Sequence, residues 1–211
     1  MNDNGELYLI AAPSGAGKTS LMKALLEHND HLALSISDTT RPPRQGEVEG
    51  EQYHFVDTDS FQRGIEAGQY LEHAEVYGNY YGTRRDRVEA LWQNGRDVLL
   101  EIDVQGAEQV RRHFPEVCSI FILPPSLEAL RHRLAHRGSD EPEVIERRLG
   151  EARREIEACG HFRWMVVNDD FDQALAELQA IVTAWPLRRE RQKSRLSGLL
   201  DESAGRSTIG D

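Results

Sequence analysis

The chain has 211 residues, 39 % of them apolar and 29 % charged, which is enough to bury the core of one soluble domain. Its 36 acids outnumber 25 bases, for a net charge of −11. That balance argues against broad nucleic-acid or membrane-surface binding, both of which need a basic footprint.

The N-terminal MNDNGELYLIAAP is acidic, with an apolar run of only about six residues, too short for a signal peptide. No later run is long enough to span a bilayer. Cys118 and Cys159 lie far apart and match no metal spacing or disulfide framework, so a cytoplasmic location is expected.

Leu7–Ala11 (LYLIA) is apolar without alternation, as suits a buried parallel strand. A Gly-rich turn follows, then TSLMKALLEH with helical apolar spacing. Val98–Ile102 (VLLEI) reads as a second buried strand and VQGAEQVRRHF as its helix. Val117–Leu123 (VCSIFIL) is a third strand, ended by Pro124 and Pro125 and followed by SLEALRHRLAHR. Trp164–Val167 (WMVV) is a fourth, followed by FDQALAELQAIVTAW. Strand alternating with helix at this rhythm predicts an α/β fold with a parallel sheet.

Two segments interrupt the rhythm. Residues 36–93 hold short strand-like pieces (QYHFV, YLEHAEV, NYYGT) between turn signals and read as an inserted subdomain. Residues 126–158 form a charged helical excursion, broken at Arg137-Gly138-Ser139-Asp140, and read as a mobile lid. The core then comprises residues 1–35, 94–125 and 159–190. Residues 191–211 form a C-terminal tail expected to be flexible. The basic LRRERQKSR before its end reads as a solvated helix end or a subunit contact, and His132 and His136 as part of a solvated lid face.

Ala12-Pro13-Ser14-Gly15-Ala16-Gly17-Lys18-Thr19 sits after a buried strand and opens a helix, where a phosphate-binding P-loop belongs. Ala12 replaces the pattern's first Gly. Gly15 and Gly17 remain for the tight part of the loop. Successive backbone N–H groups at a helix N-terminus form an anion nest, Lys18 can reach β- and γ-phosphates, and Thr19 can offer a hydroxyl to Mg²⁺. Glu101 and Asp103 end the VLLEI strand, on the side where open α/β sheets bind ligands. Asp103 fits both a metal-shell acid and a helix N-cap.

Ser37–Glu47 (SDTTRPPRQGE) sets Arg41 and Arg44 around two stiffening prolines. Arginine is a forked, permanently charged donor suited to phosphate. Tyr53 and Tyr81 can add neutral phenol donors. Locally, the stretch reads equally well as a solvated turn. Glu72, in LEHAE, is on its own a plain solvated strand residue.

In order along the chain, APSGAGKT, S-x-T-T-R-x-P-R-x-G-E, Y-x-F, Y-L-E-x-A, GNYYGT, E-I-D-x-Q-G, FILPPS, RL-x-x-RG and VNDD resemble guanylate kinase. The match covers nearly everything before the tail, and Ala12 resembles the bacterial branch. The resemblance implies a three-layer P-loop fold with an inserted GMP-binding subdomain and a helical lid. It implies transfer of the ATP γ-phosphoryl to GMP or dGMP, with Mg²⁺, by a monomer or homo-oligomer. It assigns Ser14, Gly15, Ala16, Gly17, Lys18, Thr19 and Ser20 to ATP, with Thr19 toward the metal, and places Asn168 beside adenine. Ser37, Arg41, Arg44, Tyr53 and Tyr81 match GMP-phosphate contacts. Glu72 matches the carboxylate that reads guanine, and Thr83 a hydroxyl near its O6. Asp103 matches an acid near nucleotide and metal. Glu101 stands at a substrate-side position where relatives often carry Asp. Arg133, Arg137 and Arg148 match lid arginines that close over the moving phosphoryl. Two other classes share parts of these motifs: non-catalytic guanylate-kinase-like interaction modules and kinases of phosphorylated sugars. Lys18 and Thr19 speak against the first, Glu72 and Thr83 against the second.

Overall fold

The computed structural model describes residues 5–76, 78–136, 142–193 and 196–197. Its centre is a five-stranded parallel sheet. In chain order the strands are β1 (Leu7–Ala11), β2 (Leu32–Leu34), β7 (Asp97–Glu101), β8 (Cys118–Leu123) and β9 (Trp164–Val167), and in space they run β2-β7-β1-β8-β9. β1 is paired on both sides, Leu9 with Leu100 on β7 and with Ser119 on β8. All five of its residues are buried, which is why the run shows no polar alternation.

Side chains on alternate residues divide the core into two layers. Tyr8, Ile10, Leu99, Ile120, Ile122 and Val166 pack with helices α1 (Lys18–Glu27) and α7 (Phe171–Ala184). Leu9, Val98, Leu100 and Phe121 face the other way, toward α3 (Arg85–Gln93) and α4 (Val104–His113). Each fully buried Leu, Ile or Phe contributes about 1.5–3 kcal/mol relative to exposure. The sheet is thus the rigid plate on which everything else is mounted.

Strand β2 escapes the sequence reading. It has three residues between polar neighbours, and its pairing with β7 alone defines it. β7 and β8 each begin one residue away from the expected starts.

Residues 36–93 build a second sheet, ordered β4-β3-β6-β5, from β3 (Asp38–Thr39), β4 (His54–Phe55), β5 (Tyr70–Val76) and β6 (Asn79–Arg84). Two helices also lie here, α2 (Thr58–Glu66) and α3. Both have few buried residues, Phe61 and Gly64 on α2 and Val88 on α3. Phe61 stacks on Tyr70 and Tyr80, with ring centroids 4.4 and 5.4 Å away. The sheet is docked to α4 by Gln109, whose Nε2 donates to the His73 carbonyl at 2.7 Å while its Oε1 accepts from the His73 amide at 3.2 Å.

The charged excursion is two helices, α5 (Leu127–His136) and α6 (Pro142–Glu157). Leu130, Leu134, Leu149 and Ala152 form their shared core, and Arg131 pairs with Glu146 across them. The expected break at residues 137–140 lies outside the described residues, as does most of the tail. In the basic stretch that leads into it, Arg188 and Arg191 are each 2.9 Å from a carboxylate oxygen of buried Glu6. Part of the basic stretch is therefore spent inside the protein rather than on a solvated helix end.

Candidate active site

The loop between β1 and α1 turns through Gly15 (φ +92°) and Gly17 (φ +93°), a region L side chains rarely adopt. Ala12 packs against the core. Gly17 stands at the N-cap of α1, with no side chain capping the helix and no acid in its first turn. The orphan amides and the positive end of the helix dipole are therefore open to an anion. Ser14, Thr19 and Ser20 are exposed around this nest.

Two neighbours hold the loop in shape. Asn168, at the end of β9 and buried, donates from Nδ2 to the Ala16 carbonyl at 2.7 Å. A Cβ at Gly17 would stand 2.3 Å from the same Nδ2. On the other side Leu130 and Leu134 of α5 press on Gly15, so α5 rests directly on the loop.

A cavity of about 460 Å³ opens beside the loop, lined by Gly15, Ser20, Arg133, Asn168, Asp169 and Phe171 among others. Arg133 donates through Nη2 to the Asn168 carbonyl at 2.9 Å. Its Nη1 is buried with no hydrogen-bond partner among the described residues. A buried guanidinium nitrogen on the lining of this cavity suits an anionic oxygen.

Lys18 lies 3.4 Å from Glu101 Oε1, at the end of the neighbouring strand β7. Asp103 caps α4, its Oδ1 accepting from the Gly106 amide at 2.7 Å, so the N-cap reading is correct. Glu155 of α6 faces the same place. Burial pushes its carboxyl up to about 7, helped by Asp103 and opposed by Lys18. Arg148 is half-buried on α6, and Arg137 lies outside the described residues.

Across the cleft, the second sheet gathers the other predicted residues. Arg41 packs over the Tyr53 ring, 5.5 Å from its centroid, and Tyr53 meets Tyr81 edge-on at 5.7 Å. The Tyr81 phenol lies beside the Arg41 guanidinium and helps to hold its charge. Burial pushes the Tyr53 phenol up to about 12, so it is a neutral donor at any physiological pH. Ser37 is half-buried on the same approach, and the Arg44 side chain is exposed.

Glu47 organises this group. Its Oε1 accepts from Arg41 Nη2 at 2.8 Å and its Oε2 from the Arg44 amide at 2.7 Å. Those bonds hold the Glu47 carboxyl below the usual range and push Arg41 up. Sequence reasoning quoted Glu47 in the motif but gave it no task. Beneath it, buried Asp38 accepts from the Tyr70 hydroxyl at 2.8 Å and pairs with Arg87. This network joins β3, β5 and α3, and no spacing in the sequence signals it.

Glu72 and Thr83 face each other across β5 and β6. Thr83 Oγ1 donates to Glu72 Oε1 at 2.6 Å. Glu72 Oε2 lies against Gly106, where a Cβ would come within 2.5 Å. Burial pushes the Glu72 carboxyl up to about 7, with Thr83 pulling it down and Asp103 adding to the rise. A buried carboxylate is thus held in place on the second sheet, close enough to Asp103 of the central sheet to be influenced by its charge.

The guanylate kinase family model matches residues 4–185. A guanylate kinase of Alkalilimnicola ehrlichii is 55 % identical over 95 % of this chain and 99 % of its own length. One from Thiobacillus denitrificans is 54 % identical, over 94 % and 95 %. The crystal structure of a guanylate kinase from Anaplasma phagocytophilum superposes with a TM-score of 0.74 at 35 % identity, covering 89 % of both chains. Among the described residues, no helix is long and apolar enough to cross a membrane.

Proposed function

This chain belongs to the guanylate kinase family, and on that premise we propose how its residues carry out ATP-dependent phosphorylation of GMP. The enzyme is an ATP:GMP phosphotransferase. The bond between the γ-phosphorus of ATP and its bridging oxygen breaks, a bond to a GMP phosphate oxygen forms, and ADP and GDP leave.

The observation that carries the residue-level reading is the buried Glu72–Thr83 pair together with the Arg41–Tyr53–Tyr81 cluster. Guanine presents two donors on one edge, N1–H and the 2-amino group, and a carboxylate accepts both. Adenine has an acceptor at N1 and would leave Glu72 facing a lone pair. A site built on such bonds discriminates by roughly 10⁴–10⁵. Arg41, Arg44, Tyr53, Tyr81 and Ser37 then take the 5′-phosphate.

ATP takes the opposite wall. The amides of residues 14–20 and Lys18 hold its phosphates, and the cavity beside Asn168 and Phe171 takes the adenine. Arg133, Arg137 and Arg148 spread the charge of the moving phosphoryl. The acceptor phosphate is largely ionised near neutral pH, so no general base is needed. Positioning, charge and exclusion of water carry the rate.

The residues present also suit Mg²⁺. Thr19 lies in the first turn of α1, and the cap of α4 uses only one of the Asp103 carboxylate oxygens. A magnesium ion that keeps several waters and binds substrate phosphates needs few protein ligands. When bound, it neutralises charge on the β- and γ-oxygens. The cytoplasm, where both nucleotides are made and used, is the proposed location.

A coupled assay with ATP and each of GMP, AMP, UMP and CMP tests this reading. Turnover of GMP alone at low substrate supports it, and comparable turnover of AMP refutes it.

A further inference from the structure

Strand β5 is the edge of the second sheet, and among the described residues its strand partner is β6. Three consecutive residues of β5 are also fitted to α4, each in a different way. Leu71 joins Ala107 and Val110 in one core cluster. Glu72 lies against Gly106, where an added Cβ would stand 2.5 Å from its Oε2. His73 is held through its backbone. Its carbonyl accepts from Gln109 Nε2 at 2.7 Å, and its amide donates to Gln109 Oε1 at 3.2 Å.

In an antiparallel ladder, a hydrogen-bonded residue exchanges its N–H and C=O with the residue opposite. Gln109 offers the same donor and acceptor from one side-chain amide, and so stands in for a neighbouring strand at this edge. It lies one turn beyond Gly106, on the same face of α4. A single helical face therefore sets both the depth of the Glu72 side chain and the position of the backbone next to it. The tolerance is small. Hydrogen bonds fade beyond about 3.5 Å, so a slide of about 1 Å is enough to cost a carboxylate one of two neighbouring donors.

Resting on the reading of Glu72 as the guanine acceptor, we propose that Gln109 is a positioning residue for the base. Its two bonds to His73 fix β5 on α4 and so align the Glu72 carboxylate with both donors of guanine. The Gln109 donor and acceptor are both engaged by His73, so the residue acts through Glu72 rather than on the nucleotide. It thereby sets how strongly the enzyme senses the 2-amino group, the donor that separates guanine from hypoxanthine.

Steady-state kinetics with GMP and with inosine 5′-monophosphate, which keeps N1–H and lacks the 2-amino group, test this. The wild type should prefer GMP by about 10- to 100-fold in kcat/KM, the share of one charge-assisted hydrogen bond. Gln109→Met and Gln109→Ala put good helix formers at a half-buried position. Each should raise the GMP KM about tenfold and cut the preference to about threefold or less. The ATP KM and the kcat at saturating GMP should stay within about threefold of wild type. Added to Glu72→Gln, Gln109→Met should change the GMP KM by less than about twofold, because both act on one contact. If Glu72→Gln loses the preference while both Gln109 variants keep it, the role of Gln109 is overturned and that of Glu72 stands. If Glu72→Gln keeps the preference, both fall. A parallel rise in the ATP KM, or additive losses in the double variant, would also overturn the proposal.

Discussion

The Thr83 hydroxyl donates to Glu72 Oε1 at 2.6 Å, between residues directly opposite on β5 and β6. That bond fixes one carboxylate oxygen and the rotamer of a side chain buried against Gly106. The second oxygen is held by packing. Two strands and one helix thereby aim an acceptor pair that no flexible surface glutamate could hold still.

On the proposed role of Glu72, the same burial makes guanine recognition depend on pH. The Glu72 carboxyl is pushed up to about 7, so below that pH it gains a proton and one acceptor becomes a donor. Guanine offers only donors at this edge, so GMP binding needs the ionised form. The KM for GMP should rise by up to about tenfold per pH unit below 7, because the ionised fraction falls at that rate. Steady-state kinetics from pH 5.5 to 8.5 check this, with Glu72→Gln as the control that removes the step while leaving ionisation of the GMP phosphate in place. A flat profile above pH 6.5 in the wild type counts against the assignment.

Arg41 is held by Glu47 and Tyr81 and by the face of Tyr53. Arg41→Ala should raise the GMP KM roughly 10- to 100-fold, the range of one or two lost charge-assisted bonds. Arg41→Lys should restore little of it, since an ammonium cannot reproduce the fork. Glu47→Ala should show a smaller rise in KM with kcat nearly kept, because it orients Arg41 without touching substrate. A wild-type KM in Arg41→Ala would rule out the phosphate clamp.

Asn168 braces the Ala16 carbonyl and, through its own carbonyl, Arg133. Asn168→Ala removes a buried donor and leaves that carbonyl unsatisfied, at a cost of about 1–3 kcal/mol. The ATP KM should rise several-fold while the GMP KM changes little. Equal changes in both would place the brace outside the ATP wall.

The central sheet was legible because β1, β7, β8 and β9 are continuous apolar runs followed by helices, a pattern that only a covered parallel sheet explains. β2 was not, because three residues carry no period. The P-loop was legible down to Gly15 and Gly17, since backbone sterics demand those glycines. Glu72, by contrast, is one acid in an alternating strand. Its burial comes from α4 packing over β5, a contact made 34 residues later in the chain by Gly106. Glu47, Asp38 and Arg87 stayed silent for the same reason: each acts through a partner that only tertiary folding brings near. Glu155 could not have been found from its helix, where it is one of several acids in a charge-rich sequence.

The central claim is that Glu72 reads guanine, and the most direct test is Glu72→Gln assayed for GMP and ATP separately. The amide keeps an oxygen for Thr83 but turns an NH₂ toward the donors of guanine. The GMP KM should rise by roughly 10²–10³, with the ATP KM within about threefold of wild type. An unchanged GMP KM, or equal losses for both nucleotides, would contradict the account.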